Sequence, residues 1–321
     1  MPAVSPEFPD PRPELMLLDA ASLYFRSFHG VPGSFTAPDG TPVNAVRGFL
    51  DSIAYLVTLR GPARLVACWD EDWRPAFRVA AIPSYKAHRV ANPRTNTEEV
   101  PDLLLPQVPV IVEALRLLGI CRAGAAGYEA DDVIGTLTAR QIASGAGLVD
   151  VVTGDRDLFQ LADDEHRVRV LYVGRGVRRL EIVDQAWLAT KYGVTTGRMY
   201  AEMATLRGDP SDGLPGVAGV GEKTASGLLS RFGTLTALRE AAADPSSDLS
   251  PGQRKKLLEA SDYLDAAPVV VTVAPDAPLP DLHDTLPATP PDHAALVEFA
   301  ARWGVESSVS RVVQAMTKAA G

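Results

Sequence analysis

The chain has 321 residues, 46% hydrophobic and 22% charged, which describes a water-soluble globular protein with room for one large domain or a domain plus a smaller module. No apolar run approaches the roughly 18 residues of a membrane-spanning helix, so a membrane protein is excluded as a reading. Its 40 acidic and 31 basic residues leave a net charge of −9, which taken in bulk argues against a polyanionic partner.

The first thirteen residues hold five prolines and lack the basic and apolar regions of a secretory signal, so 1–13 is expected to be a disordered tail. The two cysteines, Cys68 and Cys121, with Cys68 in an apolar run, read as free thiols of a reducing cytoplasm. Three short apolar runs then read as buried strands that each lead into a carboxylate. Leu15–Leu18 runs into Asp19, and Arg64–Cys68 is followed by Trp69 and Asp70. Val149–Val152 leads through Thr153 and Gly154 to Asp155 and Asp157. Between them, Asn44–Leu59 and Leu103–Gly119 have apolar residues at helical spacing, with Pro106 and Pro109 limiting where the second helix begins. Strands alternating with helices predict a mostly parallel sheet covered on both faces, and ligands of such sheets gather beyond the carboxyl ends of the strands.

Residues 73–101 break this rhythm. Arg74, Arg78, Lys86, Arg89 and Arg94 lie there with no acid between Trp73 and Thr97; the bland reading is a solvated loop. Next, "GYEADDVIG" puts Glu129, Asp131 and Asp132 at the start of a helix whose buried face carries Val133, Ile134, Leu137 and Ile142. One acid there would answer the helix dipole, but three exceed that need. Glu129 and Asp132 share a helix face by their i, i+3 spacing, while Asp131 is expected to point elsewhere unless the helix starts irregularly.

From about Thr195 the pattern becomes helix, acidic loop with Asp209 and Asp212, glycine-rich hairpin, then the helix Lys223–Phe232 and two further short helices. Pro275–Asp292 is proline-rich and reads as irregular, and a helix over Asp292–Trp303 is expected to pack back on the first domain. The stretch "GVAGVGEKT" fails both the Walker spacing, because Glu222 precedes Lys223, and the dinucleotide fingerprint; neither motif would lack a preceding strand. What remains is a tight turn whose free N–H groups, at Gly216, Gly219 and Gly221, can hold a phosphate, with Lys223 beside it; a ligand-free helix connection is the plain alternative.

The acids matter as a set: Asp19, Asp70, Glu129, Asp131, Asp132, Asp155, Asp157, Asp209 and Asp212. Two like charges about 4 Å apart cost on the order of 4 kcal/mol at an effective dielectric near 20, so converging carboxylates call for cations or large pKa shifts. Oxygen-only ligation selects Mg²⁺ or Mn²⁺, and paired ions suit displacement at phosphorus. The acidic excess equals the number of these nine carboxylates, so the rest of the chain is formally neutral and a nucleic-acid substrate is not excluded.

"LLDAASLYFRSFHG", "CWDEDWRPAFR", "IPSYKAHR", "GYEADDVIGTLT", "TGDRDLFQL" and "RGDPSDGLPGVAGVGEKTA" occur in this order. With them the chain resembles the 5′-nuclease (flap endonuclease) family, meaning the nuclease domain of bacterial DNA polymerase I and, most of all, its actinobacterial stand-alone relatives. The resemblance implies a PIN-like α/β core over 14–194, a helical arch near 73–101, and a helix–three-turn–helix duplex-binding module over 195–268. Residues 269–321 would pack back on the core. It further implies that all nine acids bind divalent metal, with Asp19, Asp70, Asp132 and Asp155 catalytic. Lys86 would meet the scissile phosphate, and Arg74, Arg78 and Arg89 would guide the 5′ strand. The carbonyls of Leu206, Arg207, Pro215, Val217 and Val220 would form a potassium site. Gly213 stands where many polymerase-linked members have Asn. The expected activity is flap endonuclease and 5′→3′ exonuclease cleavage of DNA, with RNA–DNA hybrids as further substrates, in replication and repair. The protein would be a monomer at the nucleoid that acts with a separate polymerase and ligase. A non-catalytic junction-binding paralogue is the alternative, and an Asp-nucleophile phosphatase is disfavoured by Ala21, which stands where its second acid belongs.

Overall fold

The computed structural model describes residues 12–92 and 97–321; the expected disordered tail, apart from Arg12 and Pro13, and Arg94 lie outside the described residues. The strands are β1 (Leu15–Asp19), β2 (Arg64–Cys68), β3 (Val90–Asn92), β4 (Thr97–Glu98), β5 (Cys121–Ala123), β6 (Val149–Thr153), β7 (Val168–Tyr172) and β8 (Glu181–Val183). Six of them form one sheet in the order β5-β2-β1-β6-β7-β8, parallel except for the edge strand β8, while β3 and β4 make a separate small hairpin. The strand order reverses beside β1, between β2 on one side and β6 on the other. Such a switch point opens a crevice at the carboxyl ends, where Asp19 ends β1.

Helices cover both faces. In the first half they are α1 (Ala20–Gly30), α2 (Asn44–Arg60), α3 (Ala76–Ala81), α4 (Gln107–Leu118) and α5 (Ala130–Ser144). Then follow α6 (Gln185–Tyr192), α7 (Gly197–Arg207), α8 (Glu222–Phe232), α9 (Leu235–Ala243), α10 (Pro251–Glu259), α11 (Ser261–Val271), α12 (His293–Trp303) and α13 (Glu306–Ala320). Along β1 the side chains alternate: Leu15 and Leu17 join a core with α5 and α7, and Met16 and Leu18 join one with α2, α4, α12 and α13. All four are buried, which is why the strand reads as a continuous apolar run. The helix expected within 103–119 begins at Gln107, between its two prolines, because Pro106 blocks extension upstream and Pro109 falls in the first turn where no N–H is needed.

The 73–101 segment carries one short α-helix, α3, a 3₁₀ turn over Ala87–Arg89 and the β3–β4 hairpin. It is not free-standing: Ile82 and Tyr85 form a small core with Leu214, Ala267 and Val270 of the second module. Helix α11 runs across residue 268, where that module was expected to stop. Inside the sheet, Asp150 on β6 has no exposure and sits between two arginines, Arg60 at 2.7 Å and Arg169 at 2.8 Å.

Candidate active site

The acids meet at the carboxyl end of the sheet. Asp19 caps α1 by accepting from the Ser22 N–H at 3.0 Å, and its other oxygen accepts from the Thr153 hydroxyl at 2.7 Å. Thr153 in turn accepts from the Asp155 N–H at 2.8 Å, so one hydroxyl ties the ends of β1 and β6 together. Asp70 accepts from the Ala130 N–H at 2.8 Å and thereby anchors the start of α5 next to β2. Asp155 is exposed and holds the Asp157 N–H at 3.0 Å.

They lie near enough for each of several to feel the charge of others. Burial first, then Asp70 and Asp155, push the Asp19 carboxyl up to about 7, against its bonds from Thr153 and Ser22. Asp131 is raised well above the carboxylate range by burial, then by Asp19, Asp155 and Glu129. Asp157 is raised in the same way by burial, Asp155, Asp212 and Asp209. Asp212 is raised by burial, with Asp155 and Glu129 adding to it while Lys86 and Arg89 oppose. Asp70 is raised by burial and by Glu129 and Asp132. Among the described residues, however, no three Asp, Glu, His or Cys side chains close on one point as the ligands of an ion do. Mutual repulsion accounts for acids that ring a crevice without collapsing into it.

The three acids at the head of α5 divide. Glu129 and Asp132 form a capping box, with the Asp132 carboxylate accepting from the Glu129 N–H at 3.1 Å. Asp132 has no exposure, and both its oxygens lie 2.7 Å from the Arg78 guanidinium. It therefore turns away from the crevice that Asp131 faces, and does not stand with the other acids as a free ligand. The i, i+3 spacing puts Glu129 and Asp132 on one face, as their capping box shows, and leaves Asp131 as the acid that feels Asp19 and Asp155.

Arg78 needs the matching correction. It is 2% exposed, bound to Asp132 and, at 2.7 Å, to Glu129, so it presents no surface to a nucleic-acid strand. Burial works against its charge, yet Asp132 and Glu129 hold it above its ordinary value. Arg74 spends its Nε on the Tyr85 carbonyl at 2.6 Å and its Nη2 on that of Pro83 at 3.0 Å, bracing the segment. Lys86 forms an ion pair with Glu129; burial works against its charge, yet Glu129, Tyr85 and Asp212 together keep its ammonium well above the usual range. Tyr85 donates to the same carboxylate at 2.7 Å. Arg89 reaches Asp212 at 2.9 Å and the Ser211 carbonyl at 3.0 Å, with a third of its side chain open. Sequence reasoning missed Tyr85 and Thr153. Both lie inside quoted motifs, but Thr153 meets its partner across 134 residues of chain.

The segment is docked on the loop that carries Asp209 and Asp212. The Lys86 N–H donates to the Asp212 carbonyl at 3.0 Å, and the Ser84 hydroxyl donates to that of Gly213 at 2.7 Å. Gly213 has φ +74°, and a β-carbon there would stand 2.2 Å from the Ser84 carbonyl oxygen. Gly213→Ala is expected to cost about 1–3 kcal/mol through the strained backbone and to displace Lys86, lowering cleavage. Urea denaturation and a nuclease assay on the same preparation check both effects.

In the hairpin, Gly216 and Gly219 both have φ +67°, and Lys223 is exposed in the first turn of α8, which opens just after Gly221. The Leu206 carbonyl accepts from the Val217 N–H and the Val217 carbonyl from the Val220 N–H, each retaining a second lone pair. The Arg207 carbonyl, at the end of α7, stands against Gly216, where a β-carbon would come within 2.3 Å of it, and those of Pro215 and Val220 lie in the hairpin itself.

Residues 14–193 match the family model described as 5′-3′ exonuclease, N-terminal resolvase-like domain, and residues 195–294 match 5′-3′ exonuclease, C-terminal SAM fold. A 5′-3′ exonuclease of Streptomyces coelicolor is 60% identical, over 94% of this chain and 100% of the relative. One of Mycobacterium tuberculosis is 54% identical, over 95% of this chain and 98% of the relative. The fold is that of a bacteriophage T5 flap endonuclease solved as a pseudo-enzyme–product complex with DNA and metal ions. That likeness has a TM-score of 0.63 at 16% identity and covers 95% of this chain and 98% of the other. With a PIN-like core and its second module both matched, the chain belongs to the 5′-3′ exonuclease family.

Proposed function

We propose that this chain is a structure-specific 5′ nuclease that cuts DNA flaps near the junction of single and double strand and trims 5′ ends of duplexes and RNA–DNA hybrids. The observation that carries this reading is the ring of acids, several raised by burial and by one another, beside a lysine docked on Glu129. Its donor set, oxygen only and strained by like charge, fits Mg²⁺ or Mn²⁺. Asp19, Asp70, Asp131, Asp155, Asp157, Asp209 and Asp212 would hold the ions, and Glu129 would do so on giving up its bonds from Arg78, Lys86 and Tyr85; Asp132, spent on Arg78, would not. Such ions, when bound, neutralise charge at a scissile phosphate and activate water. Lys86 and Arg89 offer cations at the crevice mouth, and the N–H groups of Gly219 and Gly221, with Lys223, would hold duplex phosphates without reading bases, whereas that of Gly216 is turned to the Tyr263 hydroxyl. Potassium would suit the hairpin carbonyls. Residues 14–194 would cut, 195 through α11 would hold the duplex, and the remaining segment packs α12 on α4 and α13 on α2. Among the described residues no helix is long and apolar enough to cross a membrane. The protein would work as a monomer in the cytoplasm, at the nucleoid, with a separate polymerase and ligase.

A labelled flap with Mg²⁺ or Mn²⁺ tests this. The expected result is release of the flap, leaving 5′-phosphate and 3′-hydroxyl ends. Protein that binds the flap and cuts with neither ion would support the junction-binding alternative instead.

A second expectation concerns pH. The folded Asp19 carboxyl titrates near 7 against an ordinary value of 3.8, so this group lowers the stability of the ion-free protein progressively as pH rises from about 4 through 7. Divalent ions should relieve that cost where the acids are charged. Mn²⁺ at a hundredfold excess over its dissociation constant above pH 7 is expected to stabilise by about 2.7 kcal/mol there, and the same concentration by much less at pH 5, where the acids bind it more weakly. Thermal melts at the two pH values with and without Mn²⁺ measure it; equal shifts would place the ion elsewhere.

A further inference from the structure

The last carbonyls of an α-helix have no partner within the helix. At the end of α11 they are taken by side chains from opposite walls of the crevice. On one wall, Arg78 of α3 donates its Nε to the Val270 carbonyl at 3.0 Å while its other nitrogens hold Glu129 and Asp132. On the other, Gln160 donates its Nε2 to the Val271 carbonyl at 3.0 Å and to the Asp157 carbonyl at 2.8 Å, and its Oε1 accepts from the Val273 N–H at 3.1 Å. The chain leaving the helix then gives the Ala274 N–H to Asp132 at 2.8 Å. Leu214, immediately before the glycine hairpin, packs with Val270 and Ala267 of α11 and with Tyr85, the residue that donates to Glu129.

We propose that the end of α11 is a joint through which duplex seated on the hairpin module positions the crevice, with Arg78 and Gln160 as its two positioning residues. Arg78 sets Glu129, and through it Lys86; Gln160 sets the turn that carries Asp155 and Asp157. The inference rests on the reading above that the second module holds duplex. Simple glue between two modules is the competing account, and it predicts that loosening the joint harms every activity alike.

Gln160→Met keeps the length and volume of the side chain and removes its three bonds; Gln160 itself is outside the proposed metal and DNA contacts. Cleavage is compared on two flaps, one whose duplex is long enough to reach the hairpin and one whose duplex stops short of it. The wild type should cut the long-duplex flap faster. Gln160→Met should lower that advantage about tenfold, within the usual range for coupling between sites, while its rate on the short duplex and its calorimetric Mn²⁺ uptake stay within about twofold. Arg78→Lys, which keeps a charge for Asp132 but loses the fork and the Nε bond, should lower the advantage as well. Equal loss on both flaps, an unchanged ratio, or a wild type indifferent to duplex length would overturn the joint.

A binding arm needs no cutting. Because linkage is reciprocal, Mn²⁺ should tighten wild-type binding to an end-blocked duplex, read by fluorescence anisotropy, and Gln160→Met should remove the gain. No gain in the wild type, or a gain the variant keeps, would overturn the joint. A wild type that cleaves neither flap yet shows the gain would sink the nuclease reading and leave the joint standing.

Discussion

Asp155→Asn is expected to lower flap cleavage on the order of 10³-fold while leaving the fold and flap binding intact. Asp155 is exposed, so its replacement removes no buried contact, and an asparagine can still accept the Asp157 N–H that Asp155 holds at 3.0 Å. What changes is charge at the point where Asp19, Asp131, Asp157 and Asp212 all feel this carboxylate. Losing one negative charge beside the path of a phosphate should leave binding equal or slightly tighter. The effect should therefore fall on kcat and not on KM, which single-turnover cleavage and anisotropy resolve. Cleavage within a few-fold of wild type would remove Asp155 from the proposed set. Asp132→Asn makes the contrast: it should keep its Mn²⁺ stoichiometry in calorimetry and lose stability, because its oxygens serve Arg78.

The largest stability effect is expected far from the crevice. Asp150→Leu should destabilise the protein by roughly 3–5 kcal/mol, because it leaves the buried guanidiniums of Arg60 and Arg169 without the carboxylate that each holds. Asp150 lies near the start of β6, whereas Asp155 follows its end, so cleavage by the protein that remains folded should be close to normal. Replacing all three by apolar residues of similar size should restore much of the loss, since desolvating a buried ionic cluster costs about as much as its attractions return. Urea denaturation of the single and triple variants decides the matter. An unchanged midpoint for Asp150→Leu would show that the arginines find other partners or water.

Much of this could be read in advance because the signals are local. Leu15–Leu18, Arg64–Cys68 and Val149–Val152 are apolar runs that only a sheet covered on both faces accommodates, and β1, β2 and β6 occupy them. Asn44–Leu59 predicted α2 to within a residue at its end, since the left-handed Gly61 stops it. Five strands escaped: β3, β4, β5 and β8 have only two or three residues each, too few to show a period, and β7 carries Arg169, whose charge makes sense only once Asp150 is beside it. Helix α6 escaped too, and its capping acid, Asp184, resembles any turn residue until the Trp187 N–H is seen on it.

By itself the amino-acid order determined which residues are acidic, which runs are buried, and that strand ends and carboxylates coincide; together with the motif order, that was enough to place the family. Tertiary structure alone decided between neighbours. Asp131 and Asp132 are adjacent, the same residue type and in the same helical turn, yet one feels Asp19 and Asp155 and the other is sealed against Arg78. Arg78 and Arg89 sit in the same basic segment, yet one is buried and the other open at the mouth. The reason is physical: a side chain's charge is a property of its own atoms, but whether that charge is free or spent depends on a partner brought to within 3 Å from a distant part of the chain.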